Sequence, residues 1–310
     1  MRWHTRSNAA SEHAMREPGS AVASLPVTGV RAQTRAQNPS AAARRLGQVA
    51  LAGVVLVYLG TILVAPLGAM AVEIVSLGPI EALRSLLEPN ALRALRMTAI
   101  LTGLSVVINA VVGTLGAVAI VRHRFALRPV INALSDLPLA VSPVMVGLAF
   151  ILVFGREGLL APLTDAIGLK VVFAFSGLLL GTLFVSLPYT IREVAYVLEE
   201  LGTSEEEAAA TLGASPWQIF FRVTLPNVRF GLAYGVLMTL ARSIGEFGAV
   251  LVLGGSISGQ TQTATTFIHD SIDQRATASA YGMALLLALV SIVLLLGLEW
   301  FKRKKHGRSR

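Results

Sequence analysis

Six apolar stretches, each long enough to cross a bilayer, leave this chain few folds to choose from. A hydrocarbon core of about 30 Å needs about 20 apolar residues when crossed as a helix. Such stretches run from Gln48 to Val72, Ala94 to Val121, Val130 to Phe154, Val171 to Val197, Phe230 to Leu253 and Ala280 to Trp300. Of the 310 residues, 54% are hydrophobic and only 14% charged, which excludes an ordinary soluble domain. The expected fold is an all-α membrane protein with six transmembrane helices over residues 46–301 and no second globular domain.

Residues 1–45, rich in Ala, Ser, Arg, Gln and Pro, read as a disordered basic cytoplasmic tail, and residues 302–310 as a second basic tail. The first apolar run begins too far along the chain, and is too long, for a cleaved signal peptide. The tail's arginines lack aromatic interleaving, so no nucleic-acid partner is expected.

Orientation follows from Lys and Arg beside the span ends. Arg44 and Arg45 precede the first span, Arg122, Arg124 and Arg128 separate the second from the third, and Lys302, Arg303, Lys304 and Lys305 follow the last. With six spans these groups share one side, the cytoplasm, which also receives the long loop after span four with Arg192, Arg222 and Arg229 around it. Arg84, Arg93 and Arg96, mixed with Glu81 and Glu88, lie opposite and weaken the bias without reversing it. The net charge of +8 adds attraction to anionic lipid headgroups.

Two spans carry breaks. Pro138 and Pro143 interrupt the third and Pro188 the fourth, and such breaks survive in a membrane only where protein or a water-lined path satisfies the freed backbone. Simple kinking is the alternative. Asp136 is placed to cap a helix starting near Leu137 and Pro138.

The loop over residues 199–227 is punctuated as two short helices with a bend. Ser204 suits an N-cap with Glu207 as its capping-box partner, and Glu205, Glu206 and Glu207 fill the first turn, where the helix dipole favours them. Gly213 fits a left-handed C′ position, Ser215 and Pro216 restart a helix with Gln218 in the second box position, and Leu225 with Pro226 closes it. An amphipathic linker lying on headgroups is the other reading. The array Glu207, Ala208, Ala209, Gly213, Val223, Leu225, Pro226 resembles the EAA loop of permease subunits in ATP-binding-cassette importers. The resemblance implies a cytoplasmic coupling helix that docks on a partner ATPase dimer. ATP and Mg then belong to that partner, and this chain binds no cofactor.

Span five contains ARSIGEFGAV, with Arg242 and Glu246 one helical turn apart. Intramembrane charges mark a pathway or a buried pair, and this spacing permits pairing on one helix face. That stretch with GGSISG (254–259), DLPLAVSPVMVGLAFILVFG (136–155) and SLPYTIREV (186–194) resembles the sulfate and molybdate permease family, its sulfate/thiosulfate branch most closely. The resemblance covers roughly Leu92 to Trp300. It implies type I importer architecture, a second related permease subunit, an extracytoplasmic sulfate-binding protein, and alternating access with this chain forming half of the pathway. Arg242, Glu246, Pro138, Pro143 and Pro188 are the pathway candidates.

Gly231 and Gly235 form a small-xxx-small pair, and Gly103, Gly113 and Gly116 thin one side of span two, so close helix crossings are expected there. Other chemistry finds no support. There is no GxxxxGK[ST] phosphate loop, the chain contains no Cys, and the five His are scattered, so neither catalysis nor a metal site is expected. His269, Asp270 and Asp273 read as a solvated polar face outside the membrane. A secondary transporter or channel is the rival class, but it needs no exposed two-helix loop.

Overall fold

The structure is a computed structural model, and it describes residues 41–123 and 126–306. Among these the chain is helical throughout, with short connections. In order the helices are α1 (Ala41–Leu77), α2 (Pro79–Leu86), α3 (Pro89–Arg122), α4 (Arg128–Ala140), α5 (Pro143–Phe154), α6 (Ala161–Ala166) and α7 (Phe175–Leu201). They continue with α8 (Ser204–Thr211), α9 (Pro216–Ile219), a π-helical turn (Phe220–Thr224), α10 (Leu225–Ile244), α11 (Gly248–Gly254), α12 (Ala264–Asp273) and α13 (Thr277–His306). The expected N-terminal tail lies mostly outside the described residues, and α13 runs on into the basic C-terminal segment.

The chain divides into two units, Met1–Leu56 and Val57–Arg310. The first is described only as the beginning of α1. The second holds the helices that follow.

Among the described residues four helices are long and apolar enough to span a membrane: Gly47–Leu77, Pro89–Arg122, Phe175–Leu201 and Thr277–Glu299. The other two expected spans are bent pairs. Between helices α4 and α5 the chain direction bends by 117°, so Val130 to Phe154 is not one straight span. The break falls at Val141–Ser142, and Pro143 opens α5 at its first turn, where its missing N–H costs nothing. Pro138 lies inside α4, upstream of the break, and α7 continues through Pro188, which therefore does not interrupt span four. Between α10 and α11 the direction bends by 55°, which likewise breaks span five.

Helices α3, α7 and α10 form the centre of the second unit. Ala117 and Ile120 pack with Ile191, Val194, Val197, Leu198 and Val228 into one buried cluster. Small residues permit the close approach. A Cβ on Gly231 would stand 2.7 Å from Val197 Cγ2 and 2.9 Å from the Glu193 carbonyl, and one on Gly113 would stand 2.8 Å from the Thr190 side chain. These glycines serve packing within the chain; Gly103 faces open space. A buried polar seam runs where the three helices meet, with Asn109 donating to Ser186 Oγ (2.8 Å) and Thr190 sharing a hydrogen bond with Thr239 (3.0 Å). On one flank Ala91 and Ala94 pack against Ala264, Phe267 and Met283. On another, Val146 of α5 packs with Val185 and Ala249.

Candidate functional site: a capped two-helix loop and a buried ion pair

The loop after α7 is built from local chain chemistry. Gly202 leaves α7 at φ +67°, and α8 begins behind it. Its N-cap is Thr203, not Ser204: the Glu207 N–H donates to the Thr203 carbonyl (2.9 Å), and Thr203 Oγ1 donates to Glu207 Oε1 (2.6 Å). Ser204 is the first helical residue. Helix α8 ends in a Schellman turn at Gly213, φ +84°, with the Ala214 N–H on the Ala209 carbonyl (3.1 Å) and the Gly213 N–H on that of Ala210 (3.0 Å). A complete capping box follows, in which Ser215 Oγ accepts from the Gln218 N–H and Gln218 Oε1 accepts from the Ser215 N–H.

Leu225 and Pro226 do not close the second helix. The chain passes from α9 through the π turn straight into α10, and the Leu225 N–H reaches back five residues to the Phe220 carbonyl. The extra residue in that turn shifts the register just before Pro226, which then stands at the start of α10, where a proline is tolerated.

The acidic trio faces partly inward. Glu206 pairs with Arg122 at the end of α3 (2.8 Å) and accepts from Thr224 Oγ1 (2.8 Å), and Glu205 accepts from Asn227 Nδ2. Glu205 and Glu207 stay exposed, and solvent also meets large apolar side chains: Leu212 is 89% exposed, Trp217 71% and Phe221 56%. Trp217 stacks on Phe221 with ring centroids 6.0 Å apart, as their i, i+4 spacing allows. Sequence reasoning named Ala208, Ala209, Gly213, Ser215 and Pro216 around this face but missed these three residues. The aromatic i, i+4 pair was the available signal.

Arg242 and Glu246 do pair, at 2.7 Å, but not on one helix. Helix α10 ends at Ile244, and Glu246 sits in the break before α11, 2% exposed. There its Oε1 accepts from the Ala249 N–H (2.9 Å), and its carbonyl accepts from Thr265 Oγ1 (2.7 Å). The carboxylate thus caps α11 while neutralising Arg242. Pro143 packs beside this break, since a Cβ on Gly248 would lie 3.2 Å from Pro143 Cβ. Pro138 and Pro188 are buried on α4 and α7. Asp136 is not a cap: it lies within α4 and accepts from Arg192 Nε of α7 (2.8 Å). Asp270 is likewise committed, accepting from Ser256 and Gln262, and His269 approaches Asp273 at 3.8 Å.

Residues 109–307 match the family described as the inner membrane component of binding-protein-dependent transport systems. The sulfate transport system permease protein CysW of Synechococcus elongatus is 42% identical over 261 residues, 84% of this chain and 91% of that protein. The molybdenum transport system permease protein ModB of Azotobacter vinelandii is 34% identical over 224 residues, 72% of this chain and 99% of that protein. The fold matches a chain in the crystal structure of a bacterial alginate ABC transporter in complex with an alginate pentasaccharide-bound periplasmic protein. The TM-score is 0.71 at 18% identity, over 84% of this chain and 95% of the other.

Proposed function

Because this chain belongs to the family of inner membrane components of binding-protein-dependent transport systems, we propose that it imports an oxyanion, sulfate or thiosulfate, as one of two related permease subunits of an ATP-driven transporter. Its greater identity to the sulfate permease than to the molybdenum permease favours that cargo. The basic residues flanking the spans favour both termini and the 203–227 loop in the cytoplasm. ATP and Mg bind a separate ATPase dimer, this chain contributes no catalytic residue and no cofactor site, and a sulfate-binding protein delivers the anion from outside. Membrane lipids cover the remaining apolar faces.

The observation that carries ATPase docking is the loop's construction. A Schellman turn and a capping box fix the angle between α8 and α9, and that bend holds Leu212, Trp217 and Phe221 out in solvent. Burying each in a partner's groove contributes roughly 1.5–3 kcal/mol. A linker lying on headgroups needs no such bend. Arg242, 28% exposed at its side chain, is the cation best placed to meet the anion in the pathway, with Glu246 as its resting counter-charge.

Uptake of labelled sulfate by cells lacking this chain, complemented with the wild-type protein or Trp217→Arg, tests the reading. Loss of uptake without the chain, restored by the wild type and not by Trp217→Arg, is expected. Undiminished uptake in the deletion strain refutes the sulfate assignment, and uptake abolished by trace molybdate shifts the cargo to that anion.

A further inference from the structure

The root of the loop carries a contact that ties it to a distant part of the chain. Helix α3 ends at Arg122, whose side chain is only 12% exposed. Its guanidinium donates from Nη1 to the Leu198 carbonyl (3.1 Å) and from Nη2 to the Gly202 carbonyl (2.6 Å), and Nε stands 2.8 Å from Glu206 Oε2. The other Glu206 oxygen accepts from Thr224, which is buried in the π turn. One cation therefore links the ends of α3 and α7 with α8, and its carboxylate partner extends the link to the base of α10. A cation at the C-terminal carbonyls of α7 is also where the helix dipole favours one, and the planar guanidinium donates to two carbonyls while its charge faces the Glu206 carboxylate. Helix α8 is otherwise bounded by two left-handed glycines, Gly202 and Gly213, around which a built Cβ meets nothing within 4 Å.

We propose that Arg122 is a transmission residue: displacement of α8 by the docked ATPase reaches span two through the Arg122–Glu206 pair, and so moves α3, α7 and α10 as one body. This rests on the reading of residues 203–227 as the ATPase-docking loop. Arg122 touches neither cargo nor partner in this account; it positions α8 against the membrane helices. The buried cluster of Ala117, Ile120, Val194, Leu198 and Val228 lies directly behind the latch, so a force applied there meets packed side chains rather than a flexible connection.

The complex reconstituted in proteoliposomes, with its binding protein and sulfate, provides the test through uptake per ATP hydrolysed. Arg122→Gln is expected to retain the ATPase on purification but to lower uptake per ATP about tenfold, within the range usual for coupling between sites. Glu206→Gln, whose amide oxygen still accepts, is expected to lower it less. Unchanged uptake per ATP in Arg122→Gln overturns the proposal. Because the chain has no native cysteine, His123→Cys and Ser204→Cys can be spin-labelled together. Their separation is expected to hold on ATP binding with Glu206 intact and to broaden in Glu206→Gln, which keeps the test alive should Arg122→Gln fail to accumulate. A wild-type separation that changes with ATP also overturns the latch. Retention of the ATPase by Trp217→Arg would remove the docking reading and the latch with it. Loss of the ATPase in that variant, beside normal uptake per ATP in Arg122→Gln, would remove the latch alone.

Discussion

Gly213 offers a clean perturbation, because its backbone and its surroundings make separate demands. It holds φ +84°, and a Cβ built there meets no atom within 4 Å. A substitution therefore costs backbone strain alone, about 1–2 kcal/mol for an ordinary L-residue in the left-handed region. Asparagine, which tolerates that region, costs least, alanine more, and β-branched valine most. Aspartate shares asparagine's tolerance but adds a carboxylate at the C-terminus of α8, where the helix dipole disfavours it by roughly 0.3–1 kcal/mol. If the strain opens the turn, the bonds to the Ala209 and Ala210 carbonyls go with it, and the angle between α8 and α9 is no longer set. At about 1.4 kcal/mol per factor of ten, the equilibrium constant between the intact bend and the opened turn falls by about 10- to 30-fold for Gly213→Val. Membrane abundance should not change, since the residue is exposed and outside the buried clusters. The assay is ATPase retained per unit of permease across the Asn, Ala, Asp and Val series, with uptake measured in parallel. Equal retention by Asn and Val at equal abundance would refute the reasoning.

Removing one partner of the buried Arg242–Glu246 pair should cost about 3–5 kcal/mol of stability, and the double variant Arg242→Gln, Glu246→Gln should recover part of it in detergent melting. If Arg242 serves the anion, that recovered protein stays deficient in sulfate uptake; normal uptake makes the pair purely structural. Gly231→Val should destabilise by at least about 2 kcal/mol, because the new side chain meets the Glu193 carbonyl and Val197; an unchanged melting temperature contradicts the packing of α7 on α10. A membrane-impermeant maleimide should label Trp217→Cys only after the cytoplasmic face is opened and Lys170→Cys from outside intact cells. Labelling of residue 217 from outside would invert the topology.

Features fixed by neighbouring residues were legible in the sequence. The Ser215 box, the left-handed Gly213 and the first-turn acids follow from rules that act over three or four residues, but the same rules set the first cap one position late, at Ser204 instead of Thr203, made Asp136 a cap it is not, and closed at Leu225–Pro226 a helix that runs on. The prolines were legible but not their geometry, and the α10–α11 break at Gly245–Phe247 carries no proline to announce it. Pro188 is absorbed inside a continuous helix and Pro226 by a π turn, while Pro143 opens a new helix at a sharp angle, and the same residue type announces all three. Contacts between distant positions were invisible. Arg122 meets Glu206 across 84 positions, and Asp136 meets Arg192 across 56, so no local pattern assigns those partners. The loop's footing was invisible for the same reason: Glu205 and Glu206 help hold it to its base, while Leu212, Trp217 and Phe221 stand outward.

The π turn has one more consequence. Because it carries the backbone past Pro226 without a loop, Pro216 to Ile244 runs as one unbroken helical segment, about 40 Å from Trp217 to its far end at 1.5 Å per residue. Moving as one body, such a segment tilted by about 10° at Trp217 sweeps its opposite tip sideways by about 7 Å. That tip bears Arg242, so a small rocking motion at the loop becomes a larger displacement at the Arg242–Glu246 pair.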